Sequence, residues 1–476
     1  MSISDLMSMT IAETGAAMRS GQISPTELTQ ACLDHIGRYD SQINSFLTVL
    51  TKEALDRAKR AEAEIASGNA QGPFHGIPYA VKDIYNTKGI RTTIGSSVFQ
   101  DNVAKYDSTA VVRLNAAGGI LIGKNHCLEF ASGNHNKLYG EVRNPWNLDH
   151  TPGGSSSGSG ASVAAGMVFG SMGSCTGGSI RGPASHNSIV GLKPTYGLVS
   201  RFGVFPLSWS IDHAGPMTRT VEDCAIMLGA VAGYDAQDPS SARVPIPDYQ
   251  AALDGNIRGL RVGVPRELNE TASPVVRDLI QRAIIVLQEL GAEITEVSLP
   301  ITGEYTGATG NIITWSEMAQ VHAPWLEQLD DYTPMVQQKV RLGLVSPATM
   351  YHKAQQLRRL IQAEFTTALQ SVDVLVSPVQ NTPPGPIQQA SIKGAEEAKP
   401  AGPSRAARGA ADLSQTRPTN LTGQPAVSVP CGFSPEGLPV GLQISGRVFE
   451  DALVLKVAHA YEQATEWHNM HPNLVV

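Results

Sequence analysis

Short apolar segments of strand length alternate with stretches of helical periodicity along most of this 476-residue chain. Parallel strands must be joined by long crossovers, which are usually helices, so the alternation predicts an α/β protein built around a largely parallel sheet. Strands are predicted at residues 77–81, 119–123, 260–264, 293–299, 373–376, 426–429 and 440–444. Helices are predicted at residues 51–67, 111–117, 273–290, 314–329 and 347–369.

The first 70 residues are predicted to be helical. Ser24, Pro25 and Glu27 have the spacing of a capping box: Ser24 caps the helix, Pro25 takes its first position and Glu27 reaches back to the cap. Apolar residues then recur at helical spacing, beginning with Leu28 and Cys32. A helix is therefore expected to begin at Pro25.

Composition narrows the range of partners. The chain has 42% hydrophobic and 17% charged residues and a net charge of −7, with no basic stripe. We therefore expect neither a nucleic-acid partner nor a membrane partner. The five cysteines lack zinc-site spacing, so no metal is expected and the thiols are predicted to be buried in a reducing compartment. No secretory signal or membrane-spanning stretch is visible, which predicts a cytoplasmic protein.

Two runs in the middle of the chain are dense in glycine and serine, at residues 153–162 and 173–184. A flexible linker fits poorly, because alanine, valine and methionine separate the runs and an apolar segment follows them. Glycines within core-like sequence usually mark tight turns. Consecutive glycines before a serine would let backbone N–H groups converge on one point, as an oxyanion hole requires.

Other glycine–serine motifs fit these runs less well. A phosphate-binding P-loop needs GK[ST], which is absent, and the dinucleotide pattern lacks its third glycine. Residues 154–158 do match G-x-S-x-G, the nucleophile elbow of α/β-hydrolases, with Ser156 as the nucleophile. An elbow follows a buried strand, whereas a polar loop precedes this one. An esterase using Ser156 is therefore the less favoured alternative.

The order and wording of several blocks are similar to those of the amidase-signature family. The resemblance covers nearly the whole chain and includes GIPYAVKD (76–83), PGGSSSGS (152–159), TGGSIRGPA (176–184), DHAGPMTRTVED (212–223), NLTGQPAVSVPCG (420–432) and GLPVGLQISGR (437–447). It implies one large domain with a central mixed, largely parallel β-sheet and helices on both faces. Within residues 1–476 it implies a helical segment (1–70), a signature core (76–223), a variable substrate-shaping region (224–372) and the rest of the core (373–476).

The resemblance also implies the catalytic groups. The family's lysine falls on Lys82, its serine after a cis peptide on Ser155 and its nucleophile on Ser179, with Ser155 and Lys82 as proton relay to a Ser179 acyl-enzyme. Its oxyanion hole falls on the N–H groups of Thr176, Gly177, Gly178 and Ser179. A lysine acts as a base only when neutral, and the apolar strand before Lys82 makes the required burial plausible.

Supporting roles are implied for two further residues. Ser156 is expected to hydrogen-bond within the site, and Arg181 to brace the loop rather than bind substrate. The family usually has aspartate where this chain has Cys175, which puts the partner of Arg181 in doubt. Ser157 stands where glycine is usual.

The substrate is less constrained. The family's acyl pocket corresponds to about residues 129–139, 312–318 and the loop after Ser377, which are mostly neutral with aromatic members (Phe130, Tyr139, Trp315). This favours neutral aryl or alkyl amides, and carbamates, ureas and esters would form the same oxyanion. No cofactor is expected, and a homodimer is left open. A second hypothesis is the A subunit of a tRNA-dependent amidotransferase, with glutaminase activity only beside its partner subunits. Residues 382–408 are predicted to be a surface loop, and a lid is one possible role.

Overall fold

The computed structural model describes residues 3–387 and 415–474. Most of the loop predicted at residues 382–408 lies outside the described residues. Within the described part of the chain, no helix is both long and apolar enough to cross a bilayer.

One mixed sheet of eleven strands organises the described residues. The strands are β1 Phe46–Val49, β2 Pro78–Lys82, β3 Ile120–Asn125, β4 Gly170–Cys175, β5 Val190–Lys193, β6 His213–Thr218, β7 Arg261–Pro265, β8 Glu293–Val297, β9 Val374–Pro378, β10 Ala426–Phe433 and β11 Pro439–Gly446. Their order across the sheet is β1-β3-β2-β4-β6-β5-β10-β11-β9-β7-β8. The predicted α/β class with one large domain and a mixed central sheet is confirmed.

Strand direction is more mixed than the sequence suggested. Four neighbouring pairs are parallel: β2 with β3 and β4, and β7 with β8 and β9. The pairs from β4 through to β9 are antiparallel, as is β1 with β3. Parallel pairing is therefore confined to the runs β3-β2-β4 and β9-β7-β8, and the remaining neighbouring pairs are antiparallel. Strands β10 and β11 form a hairpin, and short tight connections of this kind produce antiparallel neighbours.

Helices cover the sheet. They are α1 Ile3–Ser8, α2 Ile11–Arg19, α3 Pro25–Ile43, α4 Thr51–Ala66, α5 Thr109–Ala116, α6 Ser157–Ala164, α7 Arg181–Asn187, α8 Val221–Val231, α9 Arg266–Asn269, α10 Pro274–Glu289, α11 Pro300–Val321, α12 Pro334–Val345, α13 Ala348–Ser371, α14 Arg417–Thr422 and α15 Asp451–Gln463. The predicted capping box is confirmed, because Ser24 and Glu27 each accept the other's backbone N–H. Every residue of β2, β4 and β6 is buried, so both faces of this part of the sheet are covered.

The register of β2 and β4 places the site. These strands run parallel, with Val81 opposite Met172, so their carboxyl ends meet at one edge of the sheet. Lys82 is the last residue of β2, and the turn at residues 176–180 follows β4 directly. Lys82 and the glycine-rich turn are therefore neighbours although more than 90 residues separate them in sequence.

Candidate active site

Lys82 is fully buried and is held by two serine hydroxyls. Its Nζ lies 2.8 Å from Ser155 Oγ and 2.8 Å from Ser174 Oγ. No carboxylate of the described residues lies within salt-bridge distance of Lys82. Burial lowers the pKa of Lys82 to about 8, and more distant acidic groups only partly oppose this. A lysine held in this way is neutral in an appreciable fraction of molecules near physiological pH.

Ser155 lies in a loop with fixed geometry. The Gly154–Ser155 peptide is cis, as the resemblance implied. The carbonyl of Ser155 accepts the N–H of Leu128 at 3.2 Å. Asn187 holds the preceding turn by donating to Pro152 O at 2.7 Å. These contacts keep the Ser155 hydroxyl beside Lys82.

Ser156 and Ser174 join the same network. Ser156 Oγ donates to the carbonyl of Ser174 and accepts its N–H, both at 3.3 Å. Ser156 therefore hydrogen-bonds within the site, as predicted, but to backbone groups. Among the described residues no histidine contacts its hydroxyl, and a loop rather than a strand precedes it. The geometry does not match a nucleophile elbow.

Ser179 stands in the turn between β4 and α7. It is partly exposed, whereas residues 170–178 are buried. Its hydroxyl makes no hydrogen bond to any described residue, so a bond to Ser155 is not formed here. Gly178 has a φ of 140°, and a side chain at that position would overlap Thr416 Oγ1. The turn therefore requires glycine before Ser179.

The N–H groups of the predicted oxyanion hole lie in this turn. Among the residues that the structure describes, no backbone carbonyl is bonded to the N–H of Thr176, Gly177, Gly178 or Ser179. The turn itself is anchored through other atoms: Thr176 Oγ1 donates to Asp212 Oδ1 at 2.5 Å, and the carbonyl of Gly178 accepts from Gly182. The N–H donors are thus available for an external oxygen.

Arg181 is buried, and neutral groups accept from its two terminal nitrogens, while its Nε has no partner among the described residues. It donates to Thr419 Oγ1 at 2.6 Å, Gln443 Oε1 at 2.5 Å and Asn420 Oδ1 at 2.6 Å. Its Nη2 also lies 3.4 Å from Cys175 Sγ. Burial disfavours the Cys175 thiolate, but the charge and hydrogen bond of Arg181, the N–H of Ile180 and the charge of Lys193 together outweigh it, so the pKa of Cys175 is lowered. Arg181 therefore links the turn to β11 and α14, in a bracing position.

A cavity of about 210 Å³ opens beside this network. Ser174, Thr176 and Asp212 line its inner end, and Trp209 and Phe202 line part of its wall. None of the three aromatic residues that the sequence placed in an acyl pocket, Phe130, Tyr139 and Trp315, lines this cavity. Phe130 is fully buried against His322 and Tyr332, and Tyr139 donates its hydroxyl to Ser96 O at 3.2 Å.

Two residues near the site were missed from the sequence. Ser174 contacts Lys82. Ser174 lies two residues after Met172, and Met172 pairs with Val81, the residue before Lys82. That position in the strand pair is the feature that could have indicated the contact. Arg417 places its guanidinium against Gly177, and no local pattern indicates this because 240 residues separate the two. Contacts of that range depend on topology rather than on periodicity.

Comparison with known proteins agrees with the fold. A family model described as Amidase matches residues 27–455. The chain is 40% identical over 494 residues to the A subunit of glutamyl-tRNA(Gln) amidotransferase from Geobacter sp. (strain M21), covering 98% of this chain and 99% of the relative.

Solved structures show the same fold. The A subunit of glutamyl-tRNA(Gln) amidotransferase from Thermotoga maritima has a TM-score of 0.81 and 32% identity, covering 98% of this chain and 97% of that one. Peptide amidase from Stenotrophomonas maltophilia has a TM-score of 0.82 and 31% identity, covering 96% of each chain. Fold and family match together define an enzyme that acts on C–N amide bonds. The chain belongs to the amidase-signature family.

The expectation of no nucleic-acid partner is wrong. The relative from Geobacter, similar over its full length, is named as a subunit of an amidotransferase whose name specifies a tRNA. The inference from a net charge of −7 failed because net charge averages over the whole surface. A chain can belong to an RNA-dependent assembly without a basic stripe of its own.

Proposed function

We propose that this chain is the A subunit of a tRNA-dependent amidotransferase, in which Ser179 cleaves a primary amide and releases ammonia. The observation that carries the proposed chemistry is the contact of 2.8 Å between Lys82 Nζ and Ser155 Oγ in a buried site without an acid partner among the described residues. Such a lysine can serve as base. The full-length similarity to two such A subunits supports the assignment to an assembly.

The reaction begins with proton transfer. Neutral Lys82 takes the proton of the Ser155 hydroxyl, and Ser155 takes that of Ser179 as its oxygen attacks the carbonyl carbon. A bond forms between Ser179 Oγ and that carbon, and the carbonyl oxygen becomes negative. Lys82 is then an ammonium, and the side-chain oxygens of Ser155 and Ser174 can accept hydrogen bonds from it. Ser179 bonds to no described residue and is partly exposed, so its hydroxyl can turn toward Ser155 when substrate arrives.

The turn at residues 176–179 stabilises the tetrahedral oxyanion. Its N–H groups bond to no backbone acceptor among the described residues, so they can donate to the oxygen as it becomes charged. Donors held in place before the reaction need no reorganisation at the transition state. Collapse of the intermediate breaks the C–N bond and leaves an acyl group on Ser179.

The relay then runs in reverse. Lys82 returns its proton to Ser155, which passes one to the leaving nitrogen, so ammonia departs uncharged. Water attacks the Ser179 ester with the same two residues as base and acid. The products are a carboxylic acid and ammonia, and no atom of the enzyme is consumed.

Covalent labelling tests the nucleophile. An alkyl fluorophosphonate should add to Ser179, and mass spectrometry of the digested protein would locate it. Ser179→Ala should abolish labelling, whereas Ser156→Ala should leave Ser179 as the modified residue. An adduct on Ser156 in the unaltered protein would instead support the esterase alternative.

Reconstitution tests the assembly. We expect ammonia release from glutamine to be slow for the chain alone and to increase at least about tenfold with the partner subunits of a related amidotransferase. The Ser179→Ala chain, mixed with the same subunits, is the matched control. Full glutaminase activity without partners would contradict the assignment to an assembly while leaving the chemistry intact.

A second candidate is an amidase that needs no partner subunits. The peptide amidase from Stenotrophomonas maltophilia is 31% identical over 96% of this chain, which favours keeping this function in the test. The same panel decides between them: aryl amides, alkyl amides, carbamates and esters are offered to the chain alone. Rapid turnover of one of these, with no gain from added subunits, would support the second candidate.

A further inference from the structure

Arg417 lies against the turn that carries Ser179. It is the first residue of α14 and only 6% exposed. A side chain placed on Gly177 would begin 3.1 Å from Arg417 Nε and 3.3 Å from its Nη2. Gly177 therefore leaves the Nε–Nη2 edge of the guanidinium uncovered. The charge lies next to the residue two positions before the proposed nucleophile.

The aliphatic stem of Arg417 passes over helix α11 at Gly310. A Cβ on Gly310 would overlap Arg417 Cδ, so any larger residue there would displace the side chain. The neighbouring Asn311 accepts from Arg417 Nη1 at 2.6 Å through Oδ1. Gly310 and Asn311 of helix α11 thus fix the direction of the guanidinium, and Asn311 occupies its Nη1 end.

The opposite edge of the guanidinium is unsatisfied. Arg417 Nε is buried and bonds to no described residue. No carboxylate in residues 3–387 or 415–474 forms a salt bridge with Arg417, and burial lowers its pKa to about 10. A buried charge without an acid partner is costly unless something pairs with it. Arg181 also has a buried Nε without a partner among the described residues, but its two terminal nitrogens donate to three side-chain oxygens, whereas Arg417 donates to one, Asn311 Oδ1.

Lys339 adds a second positive charge near Arg417. Its ammonium donates to the carbonyl and the hydroxyl of Ser132, and it has no salt bridge within the described part of the chain. Burial lowers the pKa of Lys339 to about 8, and the charge of Arg417 contributes to this lowering. Ser132 follows Ala131, which lines the cavity beside Thr176. Two cations therefore lie near the site, and neither forms a salt bridge with a carboxylate of the described residues.

We propose that Arg417, assisted by Lys339, binds a carboxylate on the acyl part of the substrate. The proposal rests on the proposed function, because the leaving group there is ammonia and a carboxylate can belong only to the acyl part. The Nε–Nη2 edge is one of the guanidinium edges that pair with both oxygens of a carboxylate. The substrates are thus primary amides of acids that carry a second, ionised carboxyl group, and neutral aryl or alkyl amides are poorer substrates.

A matched pair of probes isolates the carboxylate. Glutaramate and pentanamide are primary amides with the same five-carbon chain, and they differ only in whether the far end is a carboxylate or a methyl group. Their binding is measured by calorimetry on the full chain carrying Ser179→Ala, so that neither is turned over. We expect glutaramate to bind about 10- to 100-fold more tightly than pentanamide, the range of one charge-assisted pair. Equal affinity, or no measurable binding of either, overturns the proposal.

Three variants test whether Arg417 causes the preference for glutaramate over pentanamide. Arg417→Gln should bring the ratio of the two affinities close to one. Asn311→Asp keeps Arg417 and nearly the same shape but supplies an internal carboxylate at the position of the Oδ1 acceptor, so it should also abolish the preference and is expected to fold. Arg282→Gln removes an exposed charge on α10 and should keep the full preference. A preference that survives Asn311→Asp in a folded protein overturns the role of Arg417.

Failure of this proposal can be told apart from failure of the proposed function. If fluorophosphonate does not label Ser179 in the unaltered protein, the proposed function fails. If Ser179 is labelled but glutaramate is not preferred, only the carboxylate site fails. Lys339→Gln should reduce the preference by about 2- to 10-fold, less than Arg417→Gln, because the Lys339 ammonium already donates to Ser132 and acts on the carboxylate only through its charge.

Discussion

Ser174 Oγ lies 2.8 Å from Lys82 Nζ, the same distance that separates this nitrogen from Ser155 Oγ. Two hydroxyls therefore share one buried amine, and no described carboxylate is within salt-bridge distance of it. Hydroxyls accept hydrogen bonds from an ammonium without fixing its charge as a carboxylate would. The arrangement lets Lys82 gain and lose a proton during a catalytic cycle.

Activity should depend on the protonation of Lys82. Burial lowers its pKa to about 8, and only the neutral amine can take a proton from Ser155. We expect kcat/KM to rise about tenfold per pH unit below pH 8 and to level off above it. The check is a pH–rate profile between pH 6 and 9.5 with a substrate that does not titrate in this range. A flat profile would contradict the assignment of Lys82 as base.

Ser174→Ala should shift that profile. The Ser174 hydroxyl accepts from the charged form of Lys82, so its removal disfavours the ammonium and lowers the pKa of Lys82. The acid limb should move to lower pH by up to about one unit, and the plateau rate should fall about tenfold because the amine is less firmly placed. Ser171→Ala is the matched control. It removes a buried hydroxyl of the same strand that bonds Asn125 instead, so the acid limb should stay in place.

Local sequence patterns predicted most of the elements. The capping box at Ser24 and the strands β2, β3 and β7 to β11 appear within a few residues of their predicted ends. The helix predicted at residues 314–329 is instead the end of α11, Pro300–Val321, followed by a 3₁₀ segment. Helix α12, Pro334–Val345, was not predicted. Patterns of this kind depend on neighbouring residues, so they could not predict which strands pair antiparallel in the middle of the sheet.

The candidate site, like the fold, was predicted only in part. Lys82, Ser155 and Ser179 were placed by resemblance, and the structure brings Lys82 and Ser155 into contact. Their roles remain predictions. The substrate side was harder, because Phe130 is core while Arg417 comes from a distant helix. The three segments that the sequence assigned to the acyl pocket are mostly neutral. They gave no indication of Arg417, because this cation lies in a different part of the chain.

Glu462 should make stability depend on pH. It is buried on α15 and accepts the N–H of Val221 at 2.9 Å. Burial, with smaller effects from nearby acids, raises the pKa of Glu462 from 4.5 to about 8. A raised folded-state pKa gives stability that is complete below pH 4.5 and is lost as pH rises toward 8.

Glu462→Gln should therefore remove this pH dependence. We expect the variant to match the unaltered protein near pH 5 and to be more stable at pH 8.5, by on the order of 2–4 kcal/mol. Urea unfolding midpoints at the two pH values measure the effect. Glu289→Gln, at an exposed position on α10, should leave the urea unfolding midpoint unchanged at both pH values. A variant less stable than the unaltered protein at pH 8.5 would show that the carboxylate is favourable where it lies.

Gly178→Ala should disable the turn without unfolding the protein. A methyl group there meets Thr416 Oγ1, and the φ of 140° is one that alanine rarely adopts. The turn must shift to relieve both, which moves the N–H donors and Ser179 away from the position of the oxyanion. We expect kcat/KM to fall by about 100-fold or more, the effect of losing an oxyanion donor, with fluorophosphonate labelling slowed in parallel.

Gly437→Ala separates the effect of a positive φ from the effect of the contact with Thr416. Gly437 also has a positive φ, of 77°, but a side chain there would meet nothing within 4 Å. It lies in the exposed hairpin turn between β10 and β11, so alanine should cost some stability and leave labelling of Ser179 unchanged. If Gly178→Ala labelled as fast as Gly437→Ala, the turn would tolerate displacement and could not be the source of the oxyanion donors. If labelling is lost only in Gly178→Ala, the defect comes from the contact with Thr416 and its effect on the turn.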